Sequence, residues 1–437
     1  MNVIFVGSAL FVRTFLVFIS FGEALSPNRG EQIKNCLNEN FDFKRTNWND
    51  TIERDAPSNL KVETTWSSSH VSRYDLTIVT QLSFDRMPAL YNQCSTYPGP
   101  MAAAVYLPLL QLDDQLHILN GESGDLNPEN KERVRKEVER VGRIFQEIDN
   151  RNDMCQLDLM FLWEAFDSKQ ASLLYPVNSL RNYARMQVRT NLLSAIDVDM
   201  MISSSVGRAF EHPATLKELT SAVEDRQAVV LPAFEPQRQG PYGRMVADES
   251  CKASKENLAI KFKQKSVLQF KLKVFPRGHT PTNYTKWFQC THPYKVRYQR
   301  MYEPWYIGNV KTAPFHDVKF RGYGLNKIAH VASLNYFNFT FLVHPDFWII
   351  HRPHEDTAVR KVVAREASDV NKFGVKLPKN ALYYKVTQLF GDAKRGMIRG
   401  NFNITLDTSM VRCYNTLTWL PPIPSSQGFP VDPLIFI

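Results

Sequence analysis

The chain has 437 residues, 43% of them hydrophobic and 22% charged, with a formal net charge of +9. That composition can bury a large core and excludes a disordered or fibrous protein. The lysines and arginines are spread along the chain with no basic tail and no nucleic-acid motif, so the positive charge points to anionic small ligands, glycans or a membrane surface and not to nucleic acid.

Val3 to Phe21 is an apolar run interrupted by Arg13, with Gly22-Glu23-Ala24 offering small residues for cleavage. It reads as a secretory signal peptide or an uncleaved signal anchor, here bounded as 1–25, and either sends the remainder into a lumen. Six cysteines (Cys36, Cys94, Cys155, Cys251, Cys290, Cys413) contain no CxxC pair, so one to three disulfides are expected and a zinc site is not; the pairing is open. Sequons at Asn49, Asn283, Asn338 and Asn403 agree with a lumenal location.

Residues 26–72 are polar with little apolar periodicity and read as a stem. The packed domain, 73–437, is expected to open with a strand over Asp75–Thr80, a helix over Phe84–Tyr97 and a second strand over Met101–Leu107. Val134, Val138, Val141, Ile144 and Phe145 predict a helix over Glu129–Ile148, followed by a strand over Leu157–Leu162. Leu180, Ala184 and Val188 predict a helix over Asn178–Arg189, and Leu192–Ile196 a strand. This alternation predicts an α/β fold with a mainly parallel sheet in one large domain, whose ligands gather beyond the carboxyl ends of the strands.

The second half reads less clearly. Ala228–Phe234 resembles one strand, Leu258–Phe275 is either helix or strand, Tyr336–His351 reads as two strands split at His344-Pro345, and the tail after Leu420 as an irregular strap.

Asp197-Val198-Asp199 follows an apolar strand and places two carboxylates on one side of an extended chain, hard oxygen ligands for Mn²⁺ or Mg²⁺. Arg181, Arg185 and Arg189 form one basic stripe upstream, which is solvated, paired with acids or aimed at a diphosphate, with Arg181 the foremost residue for the last. His351 and His354 follow another apolar strand and offer nitrogen ligands. The run from Phe315 to Lys327, with glycines on either side of Tyr323, reads either as a sugar-binding loop or as a turn leading into a helix.

Several of these segments recur in order in another group. Thr77 to Ser83 with Asp85-Arg86, Tyr175 to Asn178 with Leu180-Arg181-Asn182, Asp197-Val198-Asp199, Leu231-Pro232-Ala233-Phe234-Glu235, Thr282-Asn283-Tyr284 with Trp287, Glu303-Pro304, Gly322-Tyr323-Gly324 with Asn326-Lys327, and His351 with Pro353-His354 together resemble the glucuronyltransferases of glycosyltransferase family 49.

The resemblance implies a GT-A type, Rossmann-like nucleotide-sugar domain, with 73–205 as the nucleotide-sugar half and 206–437 as the acceptor half. It implies a UDP-sugar donor contacting Thr80, Gln81, Arg86, Arg181, Asn182, Asp197, Asn326 and Lys327. Mn²⁺ (or Mg²⁺) is expected on Asp197, Asp199 and His351, and transfer inverts the anomeric carbon with Asp317 the leading choice of base.

UDP-glucuronate is the implied donor, with UDP-N-acetylglucosamine, UDP-xylose or a catalytically silent glycan-binding subunit as alternatives. The acceptor is a glycan or glycoprotein. The expected setting is a single-pass type II Golgi membrane protein, or a secreted one if the first segment is cleaved, with homo-oligomerisation open. One departure stands out: Met200-Met201-Ile202-Ser203 replaces a Pro-containing sequence after the triplet, where a loop under the sugar is expected.

Overall fold

The computed structural model describes residues 29–112 and 125–424. The apolar run of Val3–Phe21 and the tail beyond residue 424 lie outside the described residues, and no helix among those described is long and apolar enough to cross a membrane.

Thirteen strands are described, in two sheets. They are β1 (Lys61–Ser67), β2 (Leu76–Ser83), β3 (Pro100–Leu110), β4 (Gln156–Phe166), β5 (Leu192–Ala195), β6 (Met200–Ile202), β7 (Gln227–Leu231), β8 (Ala233–Pro236), β9 (Val267–Gln269), β10 (Tyr294–Val296), β11 (Trp305–Asn309), β12 (Thr340–Val343) and β13 (Ile349–His351). The large sheet runs β1-β4-β3-β2-β5-β11-β7-β12-β10 and the small one β6-β13-β8-β9.

The heart of the large sheet, β4-β3-β2-β5, is parallel, as the alternation of strand and helix predicts. Its strands are buried on both faces: Ile78 and Phe161 face one core cluster, while their neighbours Val79 and Leu162 face another. The helix Pro128–Asp149 packs against β4, and the helix Val177–Arg185 packs against β2 and β3. Beyond β5 the sheet is mixed, since β11 runs antiparallel to both β5 and β7 while β7 and β12 are parallel.

The segment read as a stem is part of this body. The helices Arg29–Asn38 and Trp48–Arg54 bury Ile33, Leu37, Trp48 and Ile52, and β1 pairs antiparallel with the edge of β4. Thr46 donates its hydroxyl to Glu164 at 2.5 Å, and that fully buried carboxylate also accepts from Tyr106 at 3.1 Å and Arg321 at 2.7 Å. A disulfide between Cys36 and Cys413 joins the segment to the helix Thr408–Thr416, a second joins Cys94 to Cys155, and Cys251 and Cys290 are free. The asparagines of all four sequons are exposed.

Pro232 divides what reads as a single strand. It lacks an N–H for the ladder, and the chain passes there from β7 in the large sheet to β8 in the small one. Leu258–Phe275 resolves into part of the helix Lys255–Lys263, then β9, then turns. The helix expected to reach Arg189 closes at Arg185, because Met186, Gln187 and Val188 bond three residues back instead of four.

A chain lacking residues 1–72 loses β1, Thr46 and one half of the Cys36–Cys413 disulfide, so it is expected to show no cooperative thermal unfolding, whereas the chain from residue 26 onward unfolds cooperatively. Equal melting temperatures for the two would return this segment to the role of a stem.

Candidate active site

Asp197, Val198 and Asp199 sit at the carboxyl end of β5, the edge at which parallel sheets collect ligands. The chain turns at once: the Met200 N–H bonds to the Asp197 carbonyl at 2.9 Å, and the fully buried Gln93 donates its amide to the carbonyls of Asp197 and Met200, both at 2.9 Å. Met200 to Ile202 is not a loop but β6, paired antiparallel with β13 so that Met200 faces His351. The Arg352 N–H closes the junction on the Asp199 carbonyl at 2.8 Å. Register therefore brings the histidines to the second aspartate.

The Asp199 carboxylate lies 2.6 Å from His354 Nε2 and 3.6 Å from His351 Nε2, and one ligand atom from each of the three residues falls within 4.8 Å of the others. Burial opposes charge on Asp199, yet the two histidines hold its pKa well below the usual carboxylate range. Burial likewise works against the His354 cation, but the contact with Asp199 prevails and raises its pKa. His354 Nδ1 lies 2.6 Å from the Glu355 carbonyl and 3.0 Å from Arg86, which orients the ring; His351 Nδ1 is buried without a hydrogen-bond partner. Two imidazoles and a carboxylate converging on one point fit a divalent cation.

Asp197 is placed differently from expectation. Its two oxygens accept from Arg181 and Lys327, each at 2.8 Å, and it does not join the group formed by Asp199, His351 and His354. Burial would raise its pKa, but Lys327 and then Arg181 hold it below the usual value. Arg181 also donates to Asn178 and Asn326, both at 3.0 Å. The Lys327 ammonium lies 3.4 Å from the centroid of the Trp305 ring. Lys327 and Asn326 begin the helix Asn326–Tyr336, and the Gly322-Tyr323-Gly324 turn delivers them. Gly322 has φ +76°, a Cβ there would lie 2.7 Å from Leu382, and its N–H bonds to the Tyr175 carbonyl at 2.8 Å. The glycine at 322 thus serves the turn.

The basic stripe is neither solvated nor uniform. Arg181 meets Asp197; Arg185 caps the carbonyls of Pro314 and Val310 at 3.1 and 2.8 Å and lies over the Phe315 ring at 3.9 Å; Arg189 pairs with the buried Asp158. Among the expected donor contacts, Asn182 spends its amide on the His316 backbone, at 2.8 and 2.9 Å, and is fully buried. Thr80 is also buried, and Gln81 accepts from the Tyr175 hydroxyl. Asn182 is therefore a structural position, whereas the buried Thr80 hydroxyl has no hydrogen-bond partner and Tyr175 stands beside Gln81.

Asp317, expected as the base, lies apart. Burial pushes its pKa up to about 6, but its carboxylate accepts the Lys319 N–H at 3.0 Å and its charged neighbours are Lys319 and Asp55. None of its described contacts reaches Asp197, Asp199, His351 or Lys327. The carboxylates nearer the site are Glu303, which lies 3.3 Å from Lys271 and 3.7 Å from His279, and Glu235, at the β8 position beside His351. Burial works against the Glu303 charge, but Lys271 and His279 hold its pKa far down; at Glu235 burial prevails and raises it. Lys271, His279 and Trp305 carry no sequence signal of their own, and Gln93 is invisible without the turn that it holds.

An α/β body with an acidic triplet at the end of a central parallel strand, and histidines set against it, defines a GT-A type glycosyltransferase scaffold. The chain belongs to glycosyltransferase family 49, whose model, described as glycosyl-transferase for dystroglycan, matches residues 75–376. Over 281 residues it is 30% identical to the xylosyl- and glucuronyltransferase LARGE2 of Homo sapiens, covering 64% of this chain and 33% of that one. Over 281 residues it is 28% identical to the glycosyltransferase-like protein LARGE of Caenorhabditis elegans, covering 64% of this chain and 38% of that one. The chain thus spans about a third of the length of the curated relatives it matches.

The contrast between Asn182 and Arg181 is testable by urea unfolding. Asn182→Ala strands both backbone groups of His316 and is expected to cost about 1–3 kcal/mol of stability. A cost below about 0.5 kcal/mol, the usual range of a neutral surface change, would return Asn182 to the ligand-facing side.

Proposed function

We propose that this chain is an inverting, metal-dependent glycosyltransferase that moves a sugar, glucuronate in the first instance, from a UDP-sugar to a glycan hydroxyl. The observation that carries the reading is the pairing of two chemistries at one strand end: the Asp199, His351 and His354 group, and the cations Arg181 and Lys327 that meet on Asp197. The relatives' names, which couple xylosyl and glucuronyl transfer, support this class of donor.

Asp199, His351 and His354 would hold the cation, Mn²⁺ in our reading, which supplies positive charge to the departing diphosphate. The chain's own groups do the rest. Lys327 and Arg181 are cations kept in place by Asn178, Asn326 and the Trp305 face, so little reorganisation is needed to meet a diphosphate. The Glu355 carbonyl, which also accepts from Arg86, takes the His354 Nδ1–H and orients that ring from outside. Asp197, shared between two cations, sets their separation and remains ionised. The exposed sequon asparagines and the disulfides fit the lumen of the secretory pathway, which we propose as the setting.

Release of UDP from a panel of UDP-glucuronate, UDP-xylose and UDP-N-acetylglucosamine, with and without Mn²⁺, tests the proposal. The expected result is turnover with UDP-glucuronate that EDTA abolishes and Asn at position 199 (Asp199→Asn) lowers by about 10²-fold or more, since a lost ligand should exceed the 10–100-fold that outer partners are worth. No release from any donor, with retained glycan binding, would identify a silent glycan-binding subunit instead.

A further inference from the structure

Joining a sugar to a hydroxyl requires a group that takes the hydroxyl proton. Most carboxylates around the strand end are committed elsewhere. Asp197 is neutralised by Arg181 and Lys327, Asp199 faces two histidines, and Glu303 is enclosed by Lys271 and His279. Glu235 is half-buried and forms no ion pair among the described residues, its carboxylate accepting the Lys271 backbone N–H.

Its position follows from register. β8 and β13 are parallel, with Ala233 opposite Ile349 and Phe234 opposite Ile350, so the next rung sets Glu235 beside His351. Phe234 and Ile350 enter one core cluster, whereas Ala233, Ile349 and Met200, the cross-strand partner of His351, enter the other. Alternation therefore turns Glu235 and His351 to the same face. That face continues through Phe270, whose ring lies 5.4 Å from His351 and 5.4 Å from Trp305, and on to the Lys327 ammonium over Trp305. Glu235 thus shares with His351 the face that leads through Phe270 and Trp305 to the Lys327 ammonium.

We infer that Glu235 is the general base of the transfer, an assignment that rests on the UDP-sugar reading above. The acceptor oxygen forms its bond to the anomeric carbon as the bond from that carbon to the diphosphate oxygen breaks. The bonding pair leaves with UDP, and the acceptor proton passes to a Glu235 carboxylate oxygen and then to water. The neutral amide of Glu235→Gln keeps the shape and cannot take the proton.

The test uses the full chain with UDP-glucuronate as donor, an aryl β-xyloside as acceptor probe, and thermal protection by UDP with Mn²⁺ as a readout independent of turnover. Glu235→Gln is expected to keep the wild-type melting temperature and UDP–Mn²⁺ protection while kcat falls by about 10²–10⁴-fold. Glu235→Asp should retain part of the rate, and Asp317→Asn nearly all of it. A near-normal kcat in Glu235→Gln would overturn the assignment, and so would loss of UDP–Mn²⁺ protection, which would make Glu235 a support of the metal group. Absence of UDP–Mn²⁺ protection in the wild type would instead overturn the UDP-sugar reading itself.

Discussion

The antiparallel pairing of β6 with β13 is the contact on which the site depends. Asp199 and His354 are separated by 155 residues in sequence, and three rungs, Ile202 to Ile349, Met201 to Ile350 and Met200 to His351, bring them together. The Arg352 N–H on the Asp199 carbonyl and the Gln93 amide on the turn hold the ends of those rungs. Because side chains alternate along a strand, a slip of one residue would turn His351 into the core and Ile350 toward the aspartate. The full burial of Ile349 and Ile350 opposes that slip.

A second constraint is charge balance. Isolated ions in a low-dielectric wall are costly, and removing one partner of a buried pair usually costs more than the pair contributes. The site meets this by sharing: Asp197 takes two cations, Lys327 lies against both Asp197 and an aromatic face, and Glu303 binds Lys271 beside His279. Such an arrangement keeps its charges paired within the protein. Arg185 and Arg189, on the same helical stripe as Arg181, answer the same cost with carbonyls and Asp158, which is why a regular i, i+4 pattern yields only one residue at the site.

The parallel half was legible because its strands are long apolar runs and its helices keep a 3.6-residue period; β2, β3, β4 and the helix Pro128–Asp149 fall where Ile78, Ala103, Phe161 and Val141 predict. The acidic triplet and the paired histidines were legible as ligand types next to strand ends. The segment before Tyr74 was not, because its few apolar anchors, Ile33, Leu37, Trp48 and Ile52, are spaced among polar residues, and its disulfide partner lies 377 residues away. Asp317 shows the limit from the other direction: its run has the composition of a ligand loop, but Asn182 and Asn178 hold its backbone against the helix Val177–Arg185, and the carboxylate points to Lys319. Gln93 becomes visible only once the turn that it holds is known, and Glu235, although inside a recognisable motif, gains its place beside His351 only from strand register.

We propose that Asp199, His351 and His354, and not Asp197, form the cation site. Pulsed electron paramagnetic resonance of Mn²⁺ bound to the full chain tests it most directly. Nitrogen couplings from two imidazoles are expected, one lost in His351→Ala and the other in His354→Ala, with both retained in Asp197→Asn. Bound Mn²⁺ with no nitrogen coupling, or a spectrum that changes only in Asp197→Asn, would contradict it.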